Sequence, residues 1–368
     1  MIWTKKKLLK HLFYTLYLII AVALITEITL RYLYTPIAVK LRIEANSLAR
    51  DPEQAQESLF DYNKMRFIPK SSGKILHQEY NTIANHDNFG FRNPCFDITK
   101  KANEIIIGDS FVYGIGVEDK DTLSCQLKNE NPQMNIYTMG VPGAGPKEYL
   151  LLLEKNKENI SKLIEGKTIV SIMIFTGNDF ESLLNLGIPI LENKNQKQYP
   201  FKPIIKAINF HLVKSKWLSE SYFLQSIKIL CMSLIKPNKT KNYFTNYASS
   251  TFYKSSSKSN IEQISSSLNM IKKTIEYNGM MLGKIYLVPD PAEISSSRLA
   301  RDATLGQFNA DQINVQYKFN SILSVCHQQN YSCLDLRESL SDRDYFYQDN
   351  HLRPIGVKKI SRKINYSY

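Results

Sequence analysis

The eight residues Thr168–Phe175, TIVSIMIF, limit what this chain can fold into more than any other stretch. A short run that is almost continuously apolar suits a strand buried on both faces, not one with a wet side. Such strands lie in sheets covered by helices above and below. Shorter runs of the same character occur at Glu104–Gly108 (EIIIG), Asn135–Met139, Lys284–Val288 (KIYLV) and Tyr331–Leu336 (YSCLDL). Helical segments fall between them. Asp121–Glu130 is one, and Pro146–Lys157 is another, with proline at a suitable first-turn position. Ile261, Ile264, Leu268, Ile271 and Ile275 recur at steps of three and four, which predicts an amphipathic helix. Residues 311–328 and Ile355–Ile364 complete the set. The alternation predicts an α/β fold: a three-layer, doubly wound sandwich on a five-stranded parallel sheet. At 368 residues and 43% hydrophobic, the chain can fill such a core, and it is neither a disordered chain nor a disulfide-stapled miniprotein.

Four polar segments stand at the ends of these elements. They are Gly108-Asp109-Ser110, Gly140-Val141-Pro142-Gly143-Ala144-Gly145, Gly177-Asn178-Asp179 and Asp349-Asn350-His351. In an open parallel sheet the carboxyl ends of the strands converge on one crevice. Their chemistry is complementary. A serine hydroxyl needs a base to become a nucleophile. His351 can be that base, and Asp349 can hold its imidazole in the required tautomer. The N–H groups of Ser110 and Gly143 and the amide of Asn178 can donate to a developing oxyanion. Taken singly, each segment has a plainer use: a turn at GDS, turn glycines at 143 and 145, a helix cap at Asn178. His86, His211 and His327 are rivals for the base. Asp109 and Asp179 read as structural. The order of the segments, each at a strand terminus, points to one shared site. GDSFVYGIG is neither GxGxxG nor a P-loop, so no nucleotide cofactor is expected. No metal or organic cofactor is required by this chemistry.

In these segments the chain resembles the SGNH/GDSL hydrolase superfamily, from roughly Asn85 to Ile364. The resemblance implies a flavodoxin-like sheet, Ser110 as nucleophile, Gly143 and Asn178 in the oxyanion hole, and Asp349 with His351 as acid and base. The chain departs from the commoner Asp-x-x-His spacing, because Gln348 stands at the more usual acid position and Asp349 one residue later. Asp-x-His also occurs in the branch that resembles alginate-type polysaccharide O-acetyltransferases, and DNHLRPIG is similar to that branch's block. The resemblance therefore implies ester hydrolysis or acyl transfer on an envelope carbohydrate, an O-acetyl esterase or O-acetyltransferase. A transferase would also need an acyl source, such as a membrane acyl-donor protein. Two other classes stay open: a non-catalytic glycan-binding or envelope-assembly protein with an SGNH shell, and a lysophospholipase or lipid esterase.

Outside this region the chain is less regular. Residues 1–31 read as a cytoplasmic tail and a single transmembrane helix, since Leu12–Thr26 carries no charge and follows a lysine cluster. That orientation places the remainder outside the inner membrane of a bacterium, facing the periplasm or cell exterior. A cleaved signal peptide and an interfacial helix are the competing readings. Residues 32–84 read as a lead-in, with partial helix over Ile43–Ser58, and 85–368 as the hydrolase-like domain. Residues 187–260 interrupt it as an insertion of the length used for lids and binding loops. The formal charge is +13, but no basic helix or aromatic-basic platform supports nucleic-acid binding. An acidic polymer or anionic lipid suits it better. Five cysteines occur without any CxxC; a Cys326–Cys333 bridge is one option, and free thiols are the expectation.

Overall fold

A computed structural model of the chain describes residues 5–32, 59–77, 79–165, 168–180, 258–306, 310–312, 314–347 and 349–365. The expected helix at Ile43–Ser58, residue Gln348 and the insertion up to residue 257 lie outside the described residues.

Two short antiparallel hairpins come first: β1 (Phe60–Asp61) with β2 (Arg66–Phe67), and β3 (Ser72–Leu76) with β4 (Asn81–Asn85). They are followed by β5 (Glu104–Gly108), β6 (Ile136–Gly140), β7 (Ile169–Phe175), β8 (Met281–Val288) and β9 (Cys333–Asp335). These five form one parallel sheet in the order β6-β5-β7-β8-β9. The first strand thus sits between the second and third, and the switch in winding falls between β5 and β7. In doubly wound sheets that switch opens a crevice at the carboxyl ends.

The strands are buried because each face meets a helical layer. Alternate residues point to opposite sides. Ile105 and Ile107 join Tyr137, Val170, Ile172 and Ile174 on one face. That face is covered by helices Pro146–Lys155, Lys157–Leu163, Lys258–Tyr277 and Tyr317–Gln328 through residues such as Leu152, Leu268 and Ile322. Ile106 joins Met173, Phe175, Tyr286 and Val288 on the other, under helices Leu123–Glu130 and Pro354–Asn365. The three-layer α/β expectation therefore holds for the described residues.

Several boundaries move for local reasons. The helix expected over Pro146–Lys157 is two helices, because Asn156 ends one and starts the next, its amide donating to Lys64 O and Leu152 O. The helix expected over 311–328 starts only at Tyr317, after a 3-10 turn at Ala310–Gln312. Strand β8 begins three residues early, at Met281, by pairing with Ile169 of β7. The hairpins are not isolated from the sheet domain, since Phe67, Ile75 and Ala84 share an apolar cluster with Tyr113.

Cysteine pairing departs from the free-thiol expectation. Cys95 bonds to Cys125 and Cys326 to Cys333. The second bridge ties β9 to the helix before it. The first joins a loop to helix Leu123–Glu130 across 30 residues, a contact that only tertiary packing creates.

The chain divides into two units, one of residues 52–198 and 245–368, the other of 1–51 and 199–244. In the second, Lys5–Tyr32 is a continuous helix of 28 residues. Phe13, Leu16, Leu18, Leu24 and Ile25 on it are each more than half exposed. Among the described residues no helix is long and apolar enough to cross a membrane, so the structure does not carry the expected transmembrane crossing. The physical reason is the short uncharged run, 15 residues between His11 and Glu27, against the about 20 a bilayer core needs.

Candidate active site

The loop after β5 presents Ser110. Asp109 caps the one-turn helix Ser110–Tyr113, its Oδ1 accepting from Phe111 N at 2.9 Å. Capping fixes the turn, so the serine hydroxyl is held at the sheet's carboxyl end with only 7% of the residue exposed. The last strand-to-helix connection arrives opposite it. Tyr345 and Leu352 form an isolated antiparallel bridge, and Phe346 N donates to His351 O at 2.8 Å. This narrow loop carries Asp349, Asn350 and His351 between its two sides.

Three of the five residues singled out in the sequence meet by hydrogen bonds. His351 Nε2 lies 2.8 Å from Ser110 Oγ. His351 Nδ1 lies 2.6 Å from Asp349 Oδ2. An ionised carboxylate can only accept, so Nδ1 carries the proton and Nε2 is left to accept from the serine. The phenyl ring of Phe111, 5.2 Å from the imidazole centroid and itself stacked on Phe175, limits ring rotation. Ser110 Oγ is also 3.2 Å from Asp109 Oδ2, a longer and weaker alternative acceptor.

The unusual two-residue spacing works through Asn350. Its φ is +62°, a left-handed conformation that asparagine tolerates better than most residues. The reversal lets the Asp349 side chain fold back onto the far nitrogen of a histidine only two residues away. Two arginines brace the reversal. Asn350 Oδ1 accepts from Arg301 Nη2 at 2.9 Å and from Arg298 Nη1 at 3.3 Å. Arg298, 1% exposed, also donates to Phe346 O and to Asp342, and both guanidiniums donate to Tyr347 O. Nothing in the order of residues around 298 marks these partners in advance.

Gly143 and Asn178 sit in the loops after β6 and β7, the two strands that flank β5. Gly143 has φ +75°, which a residue with a side chain would adopt only under strain. The two loops touch at Gly145, where an added Cβ would come within 2.2 Å of Asp179 O. The strand pair ends level, since Gly108 is in register with Gly140. All three oxyanion candidates therefore leave from adjacent strand ends. Of the rival histidines, His86 is buried between Ser71 Oγ and Tyr113 OH and stacked on Phe67. Burial pushes its pKa down to about 4, and its two ring nitrogens are taken up by Ser71 and Tyr113. His327 lies in the last turn of its helix, and His211 is outside the described residues.

The electrostatics separate the carboxylates by role. Burial would raise Asp349, but the charge and hydrogen bond of His351, with His77 and Tyr80, hold it well below the ordinary carboxylate range. It stays ionised at neutral pH. Burial raises Asp109 to about 6. Burial, and then the charge of Asp109, push Asp179 well above its ordinary value. Asp179 Oδ2 accepts from Tyr149 OH at 2.7 Å and from Phe175 N at 2.9 Å, which ties the β7 loop to the sheet.

A second buried acidic group lies beside the Gly177 turn. Glu293 Oε2 accepts from Thr176 Oγ1 at 2.5 Å and from Asp290 N at 2.9 Å. Burial, followed by the charge of Asp290, raises Glu293 from 4.5 to about 8. Its folded-state pKa lies above the unfolded one, so its stabilising share is complete below pH 4.5 and is lost as pH rises through about 8. Glu293→Gln keeps an acceptor and removes the titration. The variant is expected to gain stability relative to wild type between pH 5 and 8, by up to about 1.4 kcal/mol per pH unit. Urea unfolding across that range checks this, and a pH-independent difference would contradict it.

No protein-family model and no curated protein matches the chain. Among solved structures it is similar to a candidate arylesterase from Agrobacterium tumefaciens, at 11% identity and a TM-score of 0.35, over 72% of this chain and 97% of that one. Another solved structure matches at 12% identity and a TM-score of 0.35, over 73% of this chain and 96% of that one.

Proposed function

We propose that the chain is a serine-dependent ester hydrolase or O-acyltransferase that works through an acyl-enzyme on an O-acylated envelope carbohydrate. The observation that carries this is the relay Ser110 Oγ, His351 Nε2, His351 Nδ1, Asp349 Oδ2, with contacts of 2.8 and 2.6 Å, at the winding switch of the sheet. Ser110 Oγ attacks the acyl carbon while His351 Nε2 takes its proton. The N–H groups of Ser110 and Gly143 and the Asn178 amide receive the negative charge of the tetrahedral intermediate. His351 then protonates the departing sugar oxygen, and Ser110 carries the acyl group as an ester. Water releases the acid, or a sugar hydroxyl accepts the acyl group, each activated by the same imidazole.

A carbohydrate ester is favoured over an amide by the resemblance of the four segments, and over a lipid by the Asp-x-His block. The alginate-type branch also makes a membrane acyl donor a partner in the transfer case. The proposed setting is the outer side of a bacterial inner membrane. Two disulfides fit an oxidising compartment. The exposed apolar residues of helix Lys5–Tyr32 would hold the protein at the membrane surface.

The experiment is product analysis with an acetylated glycan as donor and an unacetylated one as acceptor. Free acetate alone supports hydrolysis and removes transfer. Acetate on the acceptor supports transfer. Neither product from any short-chain acyl ester would contradict the proposed activity.

A further inference from the structure

The turn of the β3–β4 hairpin reaches the proposed acid from the other end of the chain. Tyr80 OH donates to Asp349 Oδ2, the same oxygen that accepts from His351 Nδ1. Its neighbour Glu79 accepts from Tyr347 N at 2.8 Å through Oε1 and from Asp349 N at 3.2 Å through Oε2. The Tyr80 ring is held on three sides. His77 stacks at 4.9 Å, Phe346 lies at 4.8 Å, and Gly116 leaves room that a Cβ would fill at 3.0 Å from the ring.

An acid two residues from its histidine sits in a tight reversal, where the described donors to its carboxylate are His351 Nδ1 and Tyr80 OH. Its own N–H is already given to Glu79. A carboxylate in that position needs another donor to stay fixed and ionised against burial. We infer that Tyr80 is the positioning residue for Asp349, and that the hairpin 72–85 is therefore part of the catalytic centre. The hydroxyl aligns Oδ2 with the imidazole Nδ1–H and helps to keep the carboxylate charged. This rests on the Ser110–His351–Asp349 reading and adds a fourth member to it.

Tyr80→Phe keeps the ring packing and removes only the hydroxyl. Loss of a hydrogen bond to a charged group is expected to lower kcat roughly 10- to 100-fold, with KM within roughly twofold. The downfield proton resonance of His351 Nδ1–H is expected to shift or broaden. A residue that merely fills space would move neither. Replacing Tyr80 with 3-fluorotyrosine, which keeps the shape and strengthens the donor, is expected to shift the same resonance with the thermal unfolding midpoint unchanged. That second variant decides the matter if Tyr80→Phe is poorly folded. An unshifted resonance in the fluorotyrosine protein, or wild-type kcat in folded Tyr80→Phe, would overturn the inference. Labelling of wild type by a fluorophosphonate at Ser110 separates this from failure of the triad itself. A labelled wild type with an indifferent Tyr80 removes only the positioning role, and an unlabelled wild type removes both.

Discussion

Ser110→Ala is expected to lower ester turnover about 10⁴- to 10⁶-fold and leave the fold intact. The size follows from what the hydroxyl does. It is the atom that bonds to the acyl carbon, and it lies 2.8 Å from the base, His351 Nε2. What survives is the contribution of binding and of the oxyanion donors, which act on water attack as well. The structural effect should be small. The backbone of the one-turn helix is held by the Asp109 cap and by Gly114 at its end, neither of which uses the serine side chain. Initial rates on p-nitrophenyl acetate, with unfolding midpoints measured in parallel, check both halves. A loss below about tenfold would mean that another group attacks.

The second large effect is expected at the acid. Asp349→Asn should lower kcat by about 10⁴-fold, the size seen when a triad acid becomes an amide. The side chain barely changes shape, so the loss comes from proton placement. The carboxylate accepts from Nδ1 and from Tyr80 OH at one oxygen. When the NH₂ takes the place of Oδ2 it donates to Nδ1, and Tyr80 OH, which meets the same position, turns to accept from it. The ring then carries its proton on Nε2, and that nitrogen cannot accept from Ser110. KM should stay within about threefold, because the change acts on proton transfer and not on the acyl or sugar contacts. A variant with near-wild-type kcat would place the acid elsewhere.

Much of this arrangement was legible in the residue order, and the limits are physical. The sheet strands announced themselves because a strand buried on both faces is written as a continuous apolar run, as in Thr168–Phe175. Three of the four site segments were legible because each follows such a run directly, and the fourth, Asp349-Asn350-His351, because it stands just before the last helix. Asp349 was the doubtful member, since spacing alone does not say whether a two-residue step can turn back on itself. Asn350 answers that with a left-handed backbone and a side chain gripped by Arg298 and Arg301. Those arginines, like Tyr80 and Glu79, could not be read from the sequence. They act on residues up to 270 positions away, and their local context resembles any polar surface. The first hairpin was missed for a related reason: β1 and β2 are two residues each, too short for periodicity to register. The Cys95–Cys125 bridge likewise has no signature beyond the two cysteines. The apolar N-terminal run was legible as a helix, but its 15 uncharged residues fall below the length that compels a crossing.

The proposed activity requires Ser110 to be an activated nucleophile. The most direct measurement is incubation of the whole protein with a fluorophosphonate, followed by digestion and mass analysis of the labelled peptide. The expected result is one adduct, on Ser110, absent from Ser110→Ala and formed far more slowly in His351→Ala. No adduct on the wild-type protein, or an adduct that persists unchanged in Ser110→Ala, would contradict it.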